Sequence, residues 1–199
     1  MLAVIENATN DVTDMLHRMR ELAVQAVNDT NSSTDRTYLN TEATALIAEI
    51  NRVSADTEYN GTAVLDGTLT SKSFQVGTDS GQTVSFSIDS VNATAIGVNA
   101  VSLTTATGAS SALTAISTAI ESVAADRATY GALQNRLEYT VSNLMNVAEF
   151  TTAARSRIED ADFAAESARL AKAQVLQQTG TAMLAQANAS QQLALSLFR

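Results

Sequence analysis

Few residues in this sequence could do chemistry. The single His, His17, sits in LHRMRE with no second ligand one helical turn away, and the chain has no Cys. A zinc site or a Ser-His-Asp or Cys-His nucleophile therefore has too few members, and His17 reads as an exposed helix residue. Two carboxylate pairs, Asp160/Asp162 and Glu159/Glu166, could in principle serve acid/base work. They lie among Arg155, Arg157 and Arg169, so charge pairing along a helix accounts for them better. The stretch from Gly77 to Gly81 comes nearest to a phosphate-binding loop, but it lacks the spacing and a following helix. A denser cluster is Arg18, Arg20 and Glu21 with Leu22. Arg18 and Leu22 share a face at i,i+4 beside Met19, and on chemistry alone this is a salt-bridged helix face. These residues describe no enzyme, no cofactor site and no metal site.

The elements that position these groups follow from composition. The 199 residues are 45% apolar but only 5% aromatic, with no Trp and no Pro. Ala buries little area, so a thick globular core is hard to stabilise, and long helices packed side by side suit such a chain better. A net charge of -9 has the wrong sign for a phosphate backbone and excludes a nucleic-acid role. The beginning, MLAVIENATND, lacks the basic segment and cleavage site of a classical signal peptide. The uncharged run Ala173 to Phe198 carries Gln174, Gln177, Gln178, Gln186, Asn188, Gln191 and Gln192. Those amides argue against membrane insertion.

Apolar residues at Ile5, Ala8, Val12, Met15, Met19, Leu22 and Ala26 alternate three and four apart, a heptad seam. NDTNSS at 28–33 predicts a turn, with Ser33, Thr34 and Asp35 as N-caps of a second helix over about 35–53. That helix carries its seam at Leu39, Ala43, Leu46, Ile50 and Val53, and the short connection predicts antiparallel packing. Between Thr57 and Leu103 the period changes: Asn60-Gly61 and Asp66-Gly67 are hairpin dipeptides, Val84 to Ile88 alternates, and short strands packed on the helices are expected. From Ser111 a helical seam returns at Leu113, Ile116, Ile120, Val123, Arg127, Tyr130, Gln134, Leu137, Val141, Leu144 and Ala148. Ile158, Phe163, Leu170, Ala173, Leu184, Ala187, Ala194 and Leu197 are its expected inward continuation. The boundaries predicted are a helical hairpin over 1–53, a short β-hairpin region over 54–106, a helix over 107–150 and a terminal helix over 151–199. The fold class is mainly α, an elongated antiparallel helical bundle or coiled coil with a small β-hairpin region. The back half carries more apolar helix face than the front half can cover, so it needs an outside partner.

Several separated blocks carry a family resemblance: RMRELAVQA at Arg18 to Ala26, INRVSADTEYNGTAVLDG at Ile50 to Gly67, and FQVGTDSGQTVSFSI at Phe74 to Ile88. Others are RATYGALQNRLEYTVSNL at Arg127 to Leu144, SRIEDADFAAESARL at Ser156 to Leu170, and the ending QQLALSLFR. Over nearly its whole length the sequence resembles bacterial flagellin. The resemblance implies a secreted subunit of the flagellar filament, exported by the flagellar type III route, polymerising with other flagellin subunits through terminal helices that form the inner tube. Set against the family pattern, the resemblance implies that the outer variable domains are absent and that the chain begins inside the first rod helix. By the same resemblance, a flagellar export chaperone engages the C-terminal tail. Toll-like receptor 5 reads a rod face whose matching positions are Arg18, Leu22 and Glu42, extended by Gln25. Two alternatives follow from the same blocks, a soluble receptor ligand that does not polymerise and a hook-filament junction protein.

Overall fold

The computed structural model describes residues 1–159 and 163–197. Asp160 and Asp162 lie outside the described residues, as do the side chains of the expected inward positions Ala194 and Leu197. Four helices, α1 (Leu2–Val27), α2 (Ser33–Asp56), α3 (Ala106–Glu159) and α4 (Phe163–Leu197), are joined through four short strands: β1 (Glu58–Tyr59), β2 (Thr62–Ala63), β3 (Lys72–Gln75) and β4 (Thr83–Phe86). The chain divides into two units, Met1–Ser142 and Asn143–Arg199.

In the first unit, α1 buries Ile5, Ala8, Thr9, Val12, Leu16, Met19, Leu22, Ala23 and Ala26. Met15, expected on the seam, is only partly buried, while Thr9, Leu16 and Ala23 join the buried stripe, because a helix packed on more than one neighbour buries a stripe broader than two positions per heptad. The polar member, Thr9, is satisfied locally: its hydroxyl donates to the Ile5 carbonyl at 2.9 Å. The helix stops at Asn28, whose backbone is extended. Its open carbonyls are taken up by Arg36, whose Nε donates to Ala26 O at 2.8 Å, and by Asn31, whose Nδ2 donates to Gln25 O at 2.6 Å.

The second helix starts earlier than expected. Ser32, not Ser33, Thr34 or Asp35, is the N-cap, and it forms a capping box with Asp35. The Asp35 amide donates to Ser32 Oγ while its carboxylate accepts from the Ser32 amide, which supplies partners at both ends of the first turn. Two links across the hairpin, Arg18 to Glu42 and Arg36 to Ala26, pair later residues of α2 with earlier residues of α1. The helices are therefore antiparallel. Ala43, Ile50 and Ser54 are buried on α2, with Leu39, Leu46 and Val53 packed partly against the same core.

The middle segment departs most from expectation. Asn60-Gly61 does close a hairpin, Glu58 facing Ala63 and Tyr59 facing Thr62, with positive φ at both turn residues as a type I′ turn requires. Asp66-Gly67 does not. Asp66 Oδ1 accepts from the Thr68 amide at 2.9 Å and from its hydroxyl at 2.7 Å, a local Asx turn. The second hairpin pairs β3 with β4, and Phe74 stacks on Phe86 with centroids 4.8 Å apart. From 89 to 105 there is no strand. This coil nevertheless buries Val91, Ala93, Ile96, Val98 and Leu103. Side chains of α2 hold it in place: Asn51 Oδ1 accepts from the Ala93 amide at 2.9 Å and Asn40 Oδ1 from the Leu103 amide at 2.8 Å. A buried coil needs such partners, since it has no ladder of its own.

On α3 the buried residues Ala109, Ala112, Ile116, Ala119, Val123 and Tyr130 continue the heptad spacing. Burial ends there. Gln134, Val141, Leu144 and Ala148, expected to face inward, are exposed, and so are Ile158, Phe163, Leu170, Ala173, Leu184 and Ala187. Every residue of the second unit whose burial is described is exposed. Helical spacing marks a stripe as apolar, but it cannot supply the surface that covers it.

Candidate functional site

The recognition residues expected from the sequence fall on α1 and α2 of the first unit. Arg18 Nε donates to Glu42 Oε1 at 2.8 Å, and its NH1 donates to Glu21 Oε2 at 2.9 Å. Both carboxylates favour the charged guanidinium, the Glu42 hydrogen bond foremost, and raise its pKa above the ordinary arginine range. The side chains of Arg18 and Glu42 remain 50% and 44% exposed. The bridge is thus open to solvent and to any partner, and screening keeps its contribution to stability small. Gln25 is exposed on the same helix, where it lines a shallow depression with His17, Arg20, Glu21 and Val24.

Leu22 does not join them. Its side chain is 2% exposed and belongs to the core cluster with Met19, Ala23 and Ala26. The structure brings Arg18 and Glu42 together and leaves Gln25 on the surface, but it turns the expected apolar anchor inward. The reason was already present in the spacing: Leu22 is itself a seam position, and within this chain a seam residue packs on the neighbouring elements. The apolar group that the surface does present is Val24, 58% exposed. An apolar residue off the seam was the available signal for it.

Away from α2, α1 packs by its first turns toward Arg127, Tyr130 and Gln134 of α3, which share a small pocket with Leu2 and Glu6. Tyr130 is 5% exposed, and its hydroxyl accepts from the Asp89 amide at 3.3 Å. Burial, with the charge of Asp126 second, pushes its pKa up to about 12. Asp126 is raised too, by burial and by the neighbouring charge of Asp89. Arg127 Nε is buried and has no hydrogen-bond partner among the described residues, in keeping with a polar residue placed on an apolar seam.

In the second unit the notable feature is an apolar surface. Phe150, Ile158 and Phe163 are 74%, 85% and 88% exposed, and Leu170, Val175, Leu176, Met183 and Leu184 follow along α4, all exposed. Arg155 pairs with Glu159 at 2.6 Å and Arg169 with Glu166 at 3.4 Å, so Glu159 and Glu166 serve helix-surface ion pairs. Among the described residues no three His, Asp or Glu side chains converge to hold a metal, and no helix is long and apolar enough to cross a membrane.

Comparison with known proteins accounts for both helical regions. Residues 1–70 match the bacterial flagellin N-terminal helical region and residues 113–198 the bacterial flagellin C-terminal helical region. The whole chain aligns with a flagellin of Halalkalibacterium halodurans at 40% identity over 201 residues, covering 74% of that protein. This chain belongs to the bacterial flagellin family. A flagellin FlaB1 of Treponema pallidum aligns over the whole chain at 37% identity, covering 75% of that protein. The crystal structure of Bacillus cereus flagellin superposes with a TM-score of 0.65 at 30% identity, covering 77% of this chain and 89% of that one. Flagellins are structural proteins and not enzymes, and membership makes this chain a structural subunit of the flagellar filament that assembles with other flagellin subunits. The mainly α fold with two small antiparallel strand pairs is the flagellin arrangement.

Proposed function

We propose that this flagellin is a secreted subunit that polymerises by coiled-coil packing of the apolar residues exposed over 143–159 and 163–191 against helices of neighbouring copies, as part of the filament's inner tube. The supporting observation is the exposure of Phe150, Ile158 and Phe163, since soluble monomers rarely leave a continuous apolar stripe in water. The unpolymerised tail is then the surface an export chaperone covers. The hairpin of α1 and α2 with its coil forms the outer rod of the subunit, and the domain reading remains 1–53, 54–106, 107–150 and 151–199.

The same reading assigns Arg18, Gln25 and Glu42 to a face recognised by Toll-like receptor 5, with Leu22 beneath it as packing support. What favours this is an exposed basic and an exposed acidic group held 2.8 Å apart across two helices, a polar pair a partner can engage without unfolding anything. The deciding experiment has two parts. Electron microscopy of the purified chain seeded with filament fragments is expected to show elongation, which charged substitutions at Phe150 and Ile158 abolish. A cell reporter of the receptor is expected to lose signal with Arg18→Ala plus Glu42→Ala while helicity by circular dichroism stays unchanged. Signal without elongation would favour the alternative of a soluble receptor ligand that does not polymerise. Capping of filament fragments without growth would favour a hook-filament junction protein. Signal unaffected by the double substitution rejects the receptor face.

A further inference from the structure

Two dipeptides in the middle segment carry the same latent chemistry. In Asn-Gly and Asp-Gly the backbone nitrogen of Gly can attack the preceding side-chain carbonyl, because Gly has no Cβ to obstruct the approach. The two sites differ in everything that governs this attack.

Asp66 is engaged. Its Oδ1 accepts from both the amide and the hydroxyl of Thr68, and these bonds hold its pKa below the ordinary range. Ionised and hydrogen-bonded, the carboxylate is a poor electrophile and an oxide would have to leave. Gly67 is also crowded: a Cβ built there lies 3.2 Å from Ser90 Cβ, so the turn is packed against the coil. Asn60 is free. It and Gly61 are exposed at the tip of the β1–β2 turn, and among the described residues the Asn60 carboxamide has no hydrogen-bond partner, whereas the Asn40 and Asn51 carboxamides are committed to the backbone. A Cβ built at Gly61 meets nothing within 4 Å, so no other part of the chain packs against the turn there. The hairpin holding the turn has two residues per strand, and a pair so short opens locally at little cost.

We propose that Asn60-Gly61 is a spontaneous deamidation site on the exposed hairpin tip, while Asp66-Gly67 in the same segment is protected. During local opening the Gly61 nitrogen gives up its proton to solvent base and bonds to Asn60 Cγ. The bond from Cγ to Nδ2 breaks, and ammonia leaves with a proton from water. The resulting succinimide adds water at one of its two carbonyls. Opening one ring bond gives aspartate at position 60, and opening the other gives isoaspartate, in which the chain runs through the side chain. No oxidant or reductant is needed. Either product adds a negative charge to a chain already at -9. Isoaspartate also inserts a methylene into the turn backbone, which destroys the register that pairs Tyr59 with Thr62. The site therefore records the age of a chain, and its free α-carboxyl is a substrate for an isoaspartyl-directed carboxyl methyltransferase.

The test is incubation of the full folded chain in mildly alkaline buffer, followed by peptide mapping and by methyl incorporation with purified isoaspartyl methyltransferase as the probe. The amide-to-acid mass change is expected first and several-fold faster at position 60 than at any other Asn, with methyl incorporation following it. Asn60→Gln is expected to remove both, and no isoaspartate is expected at position 66 in that time. An intact Asn60 amide while another Asn deamidates, or isoaspartate at position 66 appearing as early, overturns the proposal.

Discussion

Replacing Leu22 by Ala separates a recognition residue from a packing residue. The side chain is 2% exposed, so the substitution removes three carbons from a closed site. At about 0.8 kcal/mol per buried methylene the transfer loss is about 2.4 kcal/mol. A cavity contribution adds to this, and buried Leu→Ala changes span roughly 2.7–5.0 kcal/mol in total. Ala23 and Ala26 of the same core cluster carry only a methyl, with no rotamer that could swing into the space, which places the loss at about 3 kcal/mol or above. With urea slopes of about 1–3 kcal/mol/M, the midpoint of the first unit should fall by about 1 M or more at unchanged slope. Arg18→Ala should leave that midpoint nearly in place, because its bridge to Glu42 is half exposed and screened. In the receptor reporter, the loss from Leu22→Ala should then track the fraction of chain unfolded, and the loss from Arg18→Ala should not. A Leu22→Ala chain that melts with the parent would refute the burial on which this reasoning rests.

Ser54 is buried and its hydroxyl donates to Leu65 O at 2.7 Å, so Ser54→Ala leaves a buried carbonyl without its donor and should lower stability by about 1–3 kcal/mol in the same melts. Tyr130 has its pKa raised from 10.0 to about 12, so its folded form holds the proton more tightly than the unfolded chain does. Its contribution is complete below about pH 10 and is lost as pH climbs toward about 12, a decline that Tyr130→Phe should flatten in pH-dependent denaturation. Asp126 is raised in the same sense, so its contribution is present at acid pH and lost as pH rises through its folded value. Asp126→Asn should be no less stable than the parent at neutral pH, and a marked drop there would contradict the assigned burial.

Much of the fold is set by local spacing and so was readable without coordinates. The seam from Ile5 to Ala26, the turn at NDTNSS and the I′ turn at Asn60-Gly61 each depend on residues within one or two turns of one another. The candidate face was readable in part. Arg18 and Glu42 have the charge and helix position to meet, and they do. Leu22 carried two readings, seam and anchor, and only the packing shows that its side chain lies buried on the seam.

The amino-acid sequence by itself determined that this chain forms long helices and that an apolar stripe runs along those of its back half. Tertiary structure decided which apolar positions are closed to water, how far along α3 burial extends, and where the coil from 89 to 105 runs. Helical period and turn chemistry act over a few residues, so composition and order encode them directly. Burial depends on groups brought together from distant positions, such as Asn51 with Ala93 and Asn40 with Leu103, and no local pattern states which of those meetings occur.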